Sequence, residues 1–268
     1  MFTDEQDMTI RTGFIMVNDG IFWAGDPDKP YEHQLTFELT GSYMSKKQPI
    51  FGDKFIGCQE CWMSMHGKKV GKSWTLLRET VNPGDDSIEV EDEVNWNVGD
   101  EIVIASTSFE NSETETRAII SINNRTILLD SPLDYTHLSL TLEGRRDLEV
   151  KAEVGLLTHN IKVMGVDNTE NEEYGGTLMI RGDEEETFAY IENIELTKCG
   201  QPQLPGHACI TSLVEGIAED IEIRSNSIHD SYSRGIYIEN GFDILVEENV
   251  LYQVSGNNIW LKGSLSSV

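Results

Sequence analysis

The sequence predicts an all-β chain: a compact β-rich domain followed by a right-handed parallel β-helix. Three observations predict it. No segment of the 268 residues sustains helical periodicity. Short apolar alternations dominate instead, punctuated by turn residues. The second half repeats itself at the interval of a solenoid.

Along the chain, the first strands are Phe14-Ile15-Met16-Val17 and Leu35-Thr36-Phe37-Glu38-Leu39, with Asn18-Asp19-Gly20 turning after the first. Asn82-Pro83-Gly84-Asp85 reads as another turn, and Ile102-Val103-Ile104 and Ile127-Leu128-Leu129 as further strands. None of these repeats, so residues 1–142 are expected to form a domain of their own, a sandwich or irregular β-roll. Strands near Val150 and Ile161 to Val163 lie at the boundary. Residues 143–268 are expected to be the coils. A shift of 23 residues lays Ile221 on Ile244, Ile223 on Val246, Asn226 on Asn249 and Ile228 on Leu251, and also Ile236, Tyr237 and Ile238 on Ile259, Trp260 and Leu261. An earlier copy matches Ile191, Leu196 and Cys199 to Ile223, Ile228 and Ser231 at an offset of 32, with a loop around Pro202 to Gly206 taking up the extra length. Such coils stack about 4.8 Å apart and carry equivalent apolar residues inward as ladders. Asn226 over Asn249 then reads as an asparagine ladder at a bend.

Forty-seven acidic residues against 20 basic ones give a net charge of −27. A phosphate backbone repels such a surface, so nucleic acid is not an expected partner. Divalent cations are the alternative use of this charge, with Asp85-Asp86, Glu91-Asp92-Glu93 and Asp183-Glu184-Glu185-Glu186 as candidate loops. None has the spacing of a calcium loop, so no cofactor is expected and calcium stays an alternative. The opening residues MFTDEQDMTI carry charge and no apolar run, and no stretch reaches the length of a membrane span. The chain is expected to be a piece of a larger protein whose neighbouring domains are its first partners. An open last coil would also invite self-association through its edge.

The four cysteines, Cys58, Cys61, Cys199 and Cys209, form an even set that favours disulfides in an extracellular setting. Cys58–Cys61 and Cys199–Cys209 are the local pairings, among three connectivities open to four cysteines. Cys58-Gln-Glu-Cys61 also has zinc-like spacing, but His66 is the one histidine nearby. Asn124-Arg125-Thr126 is a glycosylation sequon placed in a turn.

Several runs resemble a known family. His66-Gly67-Lys68-Lys69 followed by Ser73-Trp74-Thr75-Leu76-Leu77 is similar to the "LHG…SWTxL" segment of the G-eight (G8) domain. The run from Val94 through Trp96 and Gly99-Asp100 to Thr107 resembles its "W-x-V-G-D-x-I-V-I-A-(S/T)-T". Ala152 to Ile161 resembles "AEVGLL(T/S)RNI", and Ser227 to Arg234 resembles "SIHHTFSR". The family joins a G8 domain to a parallel β-helix on extracellular proteins. It includes fibrocystin, fibrocystin-L, the cell-migration-inducing hyaluronan-binding protein and the transmembrane cell-surface hyaluronidase. Glu115-Thr116-Arg117 looks closest to the fibrocystin-like members. The resemblance implies that residues 1–142 are a G8-type domain and that the chain acts outside the cell or at its surface.

The hyaluronidase-like members carry a His and carboxylate patch on the β-helix. Here their "GxYPIHFH" is Gly206 to Leu213, with Thr211 and Leu213 in place of the histidines. Their "SIHH" keeps His229 but has Asp230 second, and their "VHG" is Ile238-Glu239-Asn240. Their "GHxFFxED" is Gly256 to Gly263, without its His, Glu or Asp. Glycoside hydrolysis needs a proton donor and a second carboxylate held apart. His229, Asp230 and Glu239 are the remaining weak catalytic candidates; the plainer expectation is that His229 caps a turn or packs beneath Tyr252. His137 is expected to pack rather than ligate. The expected function is therefore a non-enzymatic scaffold or recognition module, self-assembling or glycan-binding. The alternatives are a hyaluronan- or other polysaccharide-degrading enzyme and a calcium-dependent adhesion module.

Overall fold

The computed structural model describes residues 1–142, 148–166, 172–183, 186–217, 220–263 and 265–267. The described residues divide into two compact units, one of Met1–Lys69 with His159–Val268, the other of Val70–Thr158.

The first unit is a parallel β-helix with three faces. The first face stacks Met8–Thr12, Leu35–Leu39, Ile161–Gly165, Ile194–Thr197, Ser227–Ser231 and Val250–Val254 in that order. The second carries Phe14–Asn18, Phe55–Gln59, Thr177–Asp183, Ile210–Ile217, Ile236–Glu239 and Ile259–Lys262. The third carries Ile21–Ala24, Trp62–His66, Phe188–Glu192, Ile221–Arg224, Gly241–Glu247 and Leu265–Ser267. The coils stack because each strand alternates, one side chain in and the next out. On the second face the inward column runs Ile15, Ile56, Leu178, Ile210, Ile236, Ile259. Each fully buried side chain of the column, Ile56, Leu178, Ile210 and Ile236, contributes about 1.5–3 kcal/mol. Both matches found in the sequence hold: Ile228 pairs with Leu251 and Ile223 with Val246, and Leu196 with Ile228.

The structure divides the chain elsewhere than at residues 142 and 143. Residues 1–69 are the first two coils, in register with the coil that begins at Ile161. The repeat was hidden because its steps are unequal. Leu35 lies over Met8, but Phe55 lies over Phe14, a longer step, because residues 40–54 loop out between the faces. That loop is pinned by a buried lysine: Lys54 Nζ donates to Gly41 O at 3.2 Å and Tyr174 O at 2.9 Å. At Gly67, just before the insertion, an added Cβ would lie 2.0 Å from Asn193 O, so only glycine lets the chain pass there.

The second unit has its own core of Leu77, Ile88, Val90, Trp96, Ile102, Ile104, Ile119 and Ile127. Its antiparallel sheet orders Trp74–Leu76, Glu153–Leu156, Glu101–Ile104, Glu115–Asn123, Thr126–Leu129 and Ser87–Glu89. The expected turn at Asn82 closes as Asp85 Oδ2 accepts the Asn82 N–H at 2.8 Å, and Asp100 does the same for Asn97 at 2.7 Å.

Both local disulfides are present, and each staples a bend between faces of the helix. Cys58–Cys61 holds the turn from the second face to the third. Cys199–Cys209 closes the excursion between the first and second. By loop entropy they stabilise by about 2 and about 3 kcal/mol.

Candidate functional site

His229 lies on the outward side of the first face and is nevertheless buried. Its column places Thr197 on one side and Tyr252 on the other. In the neighbouring outward column Glu195 pairs with Lys162. The strand register thereby brings the charges of three successive coils together. His229 Nε2 lies 3.2 Å from Glu195 Oε1, and His229 Nδ1 lies 2.8 Å from Asp230 Oδ2. Lys162 Nζ meets Glu195 Oε1 at 2.5 Å. The backbone N–H of His159 donates to Glu195 Oε2 at 3.3 Å. Asp230 sits in the left-handed region, φ 50°, which turns its carboxylate back toward the imidazole.

The electrostatics follow from this geometry. Burial opposes charge on His229, but the hydrogen bonds and charges of Asp230 and Glu195 outweigh it and push its pKa up to about 9. Burial alone would raise Glu195; the His229 hydrogen bond and the Lys162 charge hold it below the usual carboxylate range. Asp230 is lowered, chiefly by its bond from His229. The His159 ring is desolvated, so its pKa falls to about 4 and it stays neutral, with neither ring nitrogen hydrogen-bonded. Two cations thus face two carboxylates in a closed, neutral quartet. Neither carboxyl is poised to carry a proton at neutral pH, and both N–H groups of the imidazolium are already donated. The arrangement braces three successive coils; it lacks the raised-pKa carboxylic acid that glycoside hydrolysis uses.

Glu239 does not join this group. It lies at the end of a second-face strand, where it accepts from Tyr237 Oη at 2.6 Å and Lys262 Nζ at 2.6 Å. Of the three weak candidates, His229 and Asp230 lie together with Glu195 of the preceding coil, while Glu239 lies on another face. The two positions that lost histidines are occupied by packing. Thr211 Oγ1 donates to Gly206 O at 2.7 Å and accepts the Ala208 N–H at 3.1 Å, while Leu213 packs with Phe51, Phe55 and Met179. His137 is buried, with Nδ1 2.9 Å from Ala105 O and Nε2 3.0 Å from Glu115 Oε1.

Asn124 is exposed in the hairpin turn between Glu115–Asn123 and Thr126–Leu129. Among the described residues, no group of three or more His, Cys, Asp or Glu side chains is arranged to hold a metal ion. Of the acidic loops, Asp85 caps the Asn82 turn and Asp92 accepts from Thr75 at 2.9 Å, while Glu184 and Glu185 lie outside the described residues. Also among the described residues, no helix is long and apolar enough to cross a membrane. Sequence reasoning missed Glu195, Lys162 and His159. The signal was present in the offset of 32, which sets Leu196 against Ile228 and so Glu195 close to His229.

Residues 1–78 match the G8 domain family and residues 173–265 the CEMIP beta-helix family. Over 98% of its length the chain is 28% identical to Fibrocystin-L of Mus musculus, of which it covers 7%. It is 28% identical to Fibrocystin of Canis lupus familiaris over 98% of the chain and 6% of that protein. Protein rliB of Dictyostelium discoideum is 28% identical over 96% of the chain and 22% of its own length. The chain therefore spans a small fraction of these relatives. A solved tailspike, Gp54 of Acinetobacter baumannii bacteriophage AP22 in complex with A. baumannii capsular saccharide, covers 97% of this chain and 42% of its own at 11% identity and a TM-score of 0.31. So distant a likeness carries no argument; the fold rests on the strand pairing itself. The resemblance read from the motifs extends over nearly the whole chain.

Proposed function

We propose that this chain, a G8 and CEMIP-type β-helix segment of fibrocystin-like sequence, serves as a non-enzymatic recognition and scaffold module of a secreted or cell-surface protein. The observation that carries this reading is the closed quartet at His229. Where the hyaluronidase-like relatives are expected to keep a titratable patch, Glu195, Lys162, His229 and Asp230 neutralise one another. Two disulfides in the helix support an oxidising, extracellular setting. Coverage of only 7% of Fibrocystin-L supports neighbouring domains as partners. No calcium requirement belongs to this reading. The test is incubation of the purified chain with hyaluronan, with and without calcium. Unchanged hyaluronan size is expected, and so is a melting temperature that neither calcium nor EDTA moves. Size reduction abolished by His229→Ala or Glu239→Ala would establish the degradative alternative instead.

A further inference from the structure

Single hydrophobic side chains on a protein surface are ordinary, but a contiguous exposed strip is not. Such a strip runs along the outward side of the third face over the first three coils. Strand register stacks Ile21, Trp62 and Phe188 in one outward column and Trp23, Ser64 and Tyr190 in the next. Ile21 is 60% exposed and Trp62 44%. The rings form a continuous band: Trp23 and Trp62 centroids lie 6.0 Å apart, Trp62 and Phe188 6.2 Å. Ser64, the small residue between Trp23 and Tyr190, is itself buried, and its hydroxyl donates to Gly25 O at 2.7 Å.

The charged groups around the band are mostly carboxylates. Tyr190 Oη donates to Asp220 Oδ1 at 2.7 Å, and Glu222 follows Tyr190 in its column. The arginine of this face, Arg224, is held by Glu192 at 3.5 Å, Glu222 at 3.2 Å and Glu247 at 3.3 Å. Its charge is thus already matched. Trp23 also lines a cavity of 320 Å³, with Asp4, Glu5, Asp26 and Lys29 among its other lining residues. The volume suits a small ligand.

We infer that this aromatic band is a binding platform for a neutral, hydroxyl-rich saccharide, an inference that rests on the recognition-module reading and names its ligand class. A pyranose ring offers a face of C–H groups to an indole and a rim of hydroxyl donors to carboxylate acceptors. A polyanion such as hyaluronan or heparin meets a carboxylate-lined rim on a chain of net charge −27 and is repelled. Neutral sugars do not meet that penalty.

The experiment titrates the whole chain, by tryptophan fluorescence and calorimetry, with neutral cello-, malto- and chito-oligosaccharides and with hyaluronan and heparin. A neutral oligosaccharide is expected to bind with little dependence on salt. Trp62→Ala should weaken it about tenfold or more while leaving the melting temperature close to that of the parent. Trp62→Phe should keep most of the affinity. Trp260→Ala, which removes an indole on the second face beneath Arg234, should leave it unchanged. Binding of polyanions alone, affinity that survives both Trp62→Ala and Trp23→Ala, or no binding across the panel would overturn the platform. Shortening of hyaluronan would defeat the non-enzymatic reading by itself and leave the platform standing.

Discussion

His229 keeps its charge because a carboxylate faces each of its ring nitrogens, at 3.2 and 2.8 Å. Its pKa of about 9 in the fold lies above the ~6.5 of an unfolded chain. The stability it contributes is therefore fully present below about pH 6.5 and is lost as pH rises through 9. His159 and His66 act in the opposite sense. Burial holds both near 4, so below about pH 6.5 the unfolded chain takes up protons that the fold refuses. Glu195 and Asp230, both lowered, add to that acid loss. Stability should peak near pH 6 to 7, read as melting temperature against pH. His229→Gln should flatten the alkaline side, worth about 3 kcal/mol, and shrink the part of the acid side that Glu195 and Asp230 contribute, leaving the part due to His159 and His66. A variant whose alkaline side stays as steep as the parent's would show that the quartet is not what holds the charge. His229 and Asp230 were legible through a motif. Glu195 and Lys162 were not, because their part depends on which coil lies over which, and nothing in the local sequence marks Glu195 as a charge that remains buried.

Asparagine is the residue on which the bend between the third and first faces depends. Asn226 Oδ1 accepts the Ile194 N–H at 3.0 Å, and its Nδ2 donates to Ile191 O at 2.9 Å and Asn249 Oδ1 at 3.0 Å. Asn249 repeats the pattern one coil later, donating to Ile223 O at 2.8 Å. The residue before each, Ser225 and Glu248, is left-handed at φ 53° and 54°, so backbone groups leave the ladder there and need side-chain partners. Asn226→Leu strands two buried backbone groups and should cost about 2–3 kcal/mol in urea unfolding. Asn249→Leu, at a less buried position, should cost less. Equal losses would mean that the ladder acts by side-chain volume alone. This ladder was legible in full, because the last two coils carry no insertion and the period survives. The coils at Met8 and Leu35 follow the same inward pattern, but the loop at 40–54 and the unit at 70–158 break the spacing that a repeat search needs.

Across the whole chain, that second unit interrupts a β-helix that is otherwise continuous in register. Leu35 pairs with Ile161 and Trp62 with Phe188, as if residues 70–158 were absent. The two ends of the helix at the interruption already touch: Gly67 N donates to Glu192 O at 2.9 Å, and Lys68 N donates to Asn160 Oδ1 at 2.7 Å. Joining neighbouring ends through a short linker adds little closure entropy, since that cost grows only slowly with loop length. Each unit also has a separate apolar core, one lined by Leu35, Ile56, Ile191 and Ile223, the other by Ile88, Ile102 and Ile127. Replacing residues 70–158 by a short Gly-Ser linker is therefore expected to leave a folded, cooperatively melting β-helix with both disulfides formed. Residues 70–158 expressed alone should fold by their own antiparallel sheet. Far-ultraviolet circular dichroism and hydrogen exchange read both outcomes. If the linked helix instead exchanges its amides throughout, the coils depend on the inserted unit for stability, and register continuity alone does not make them an independent element.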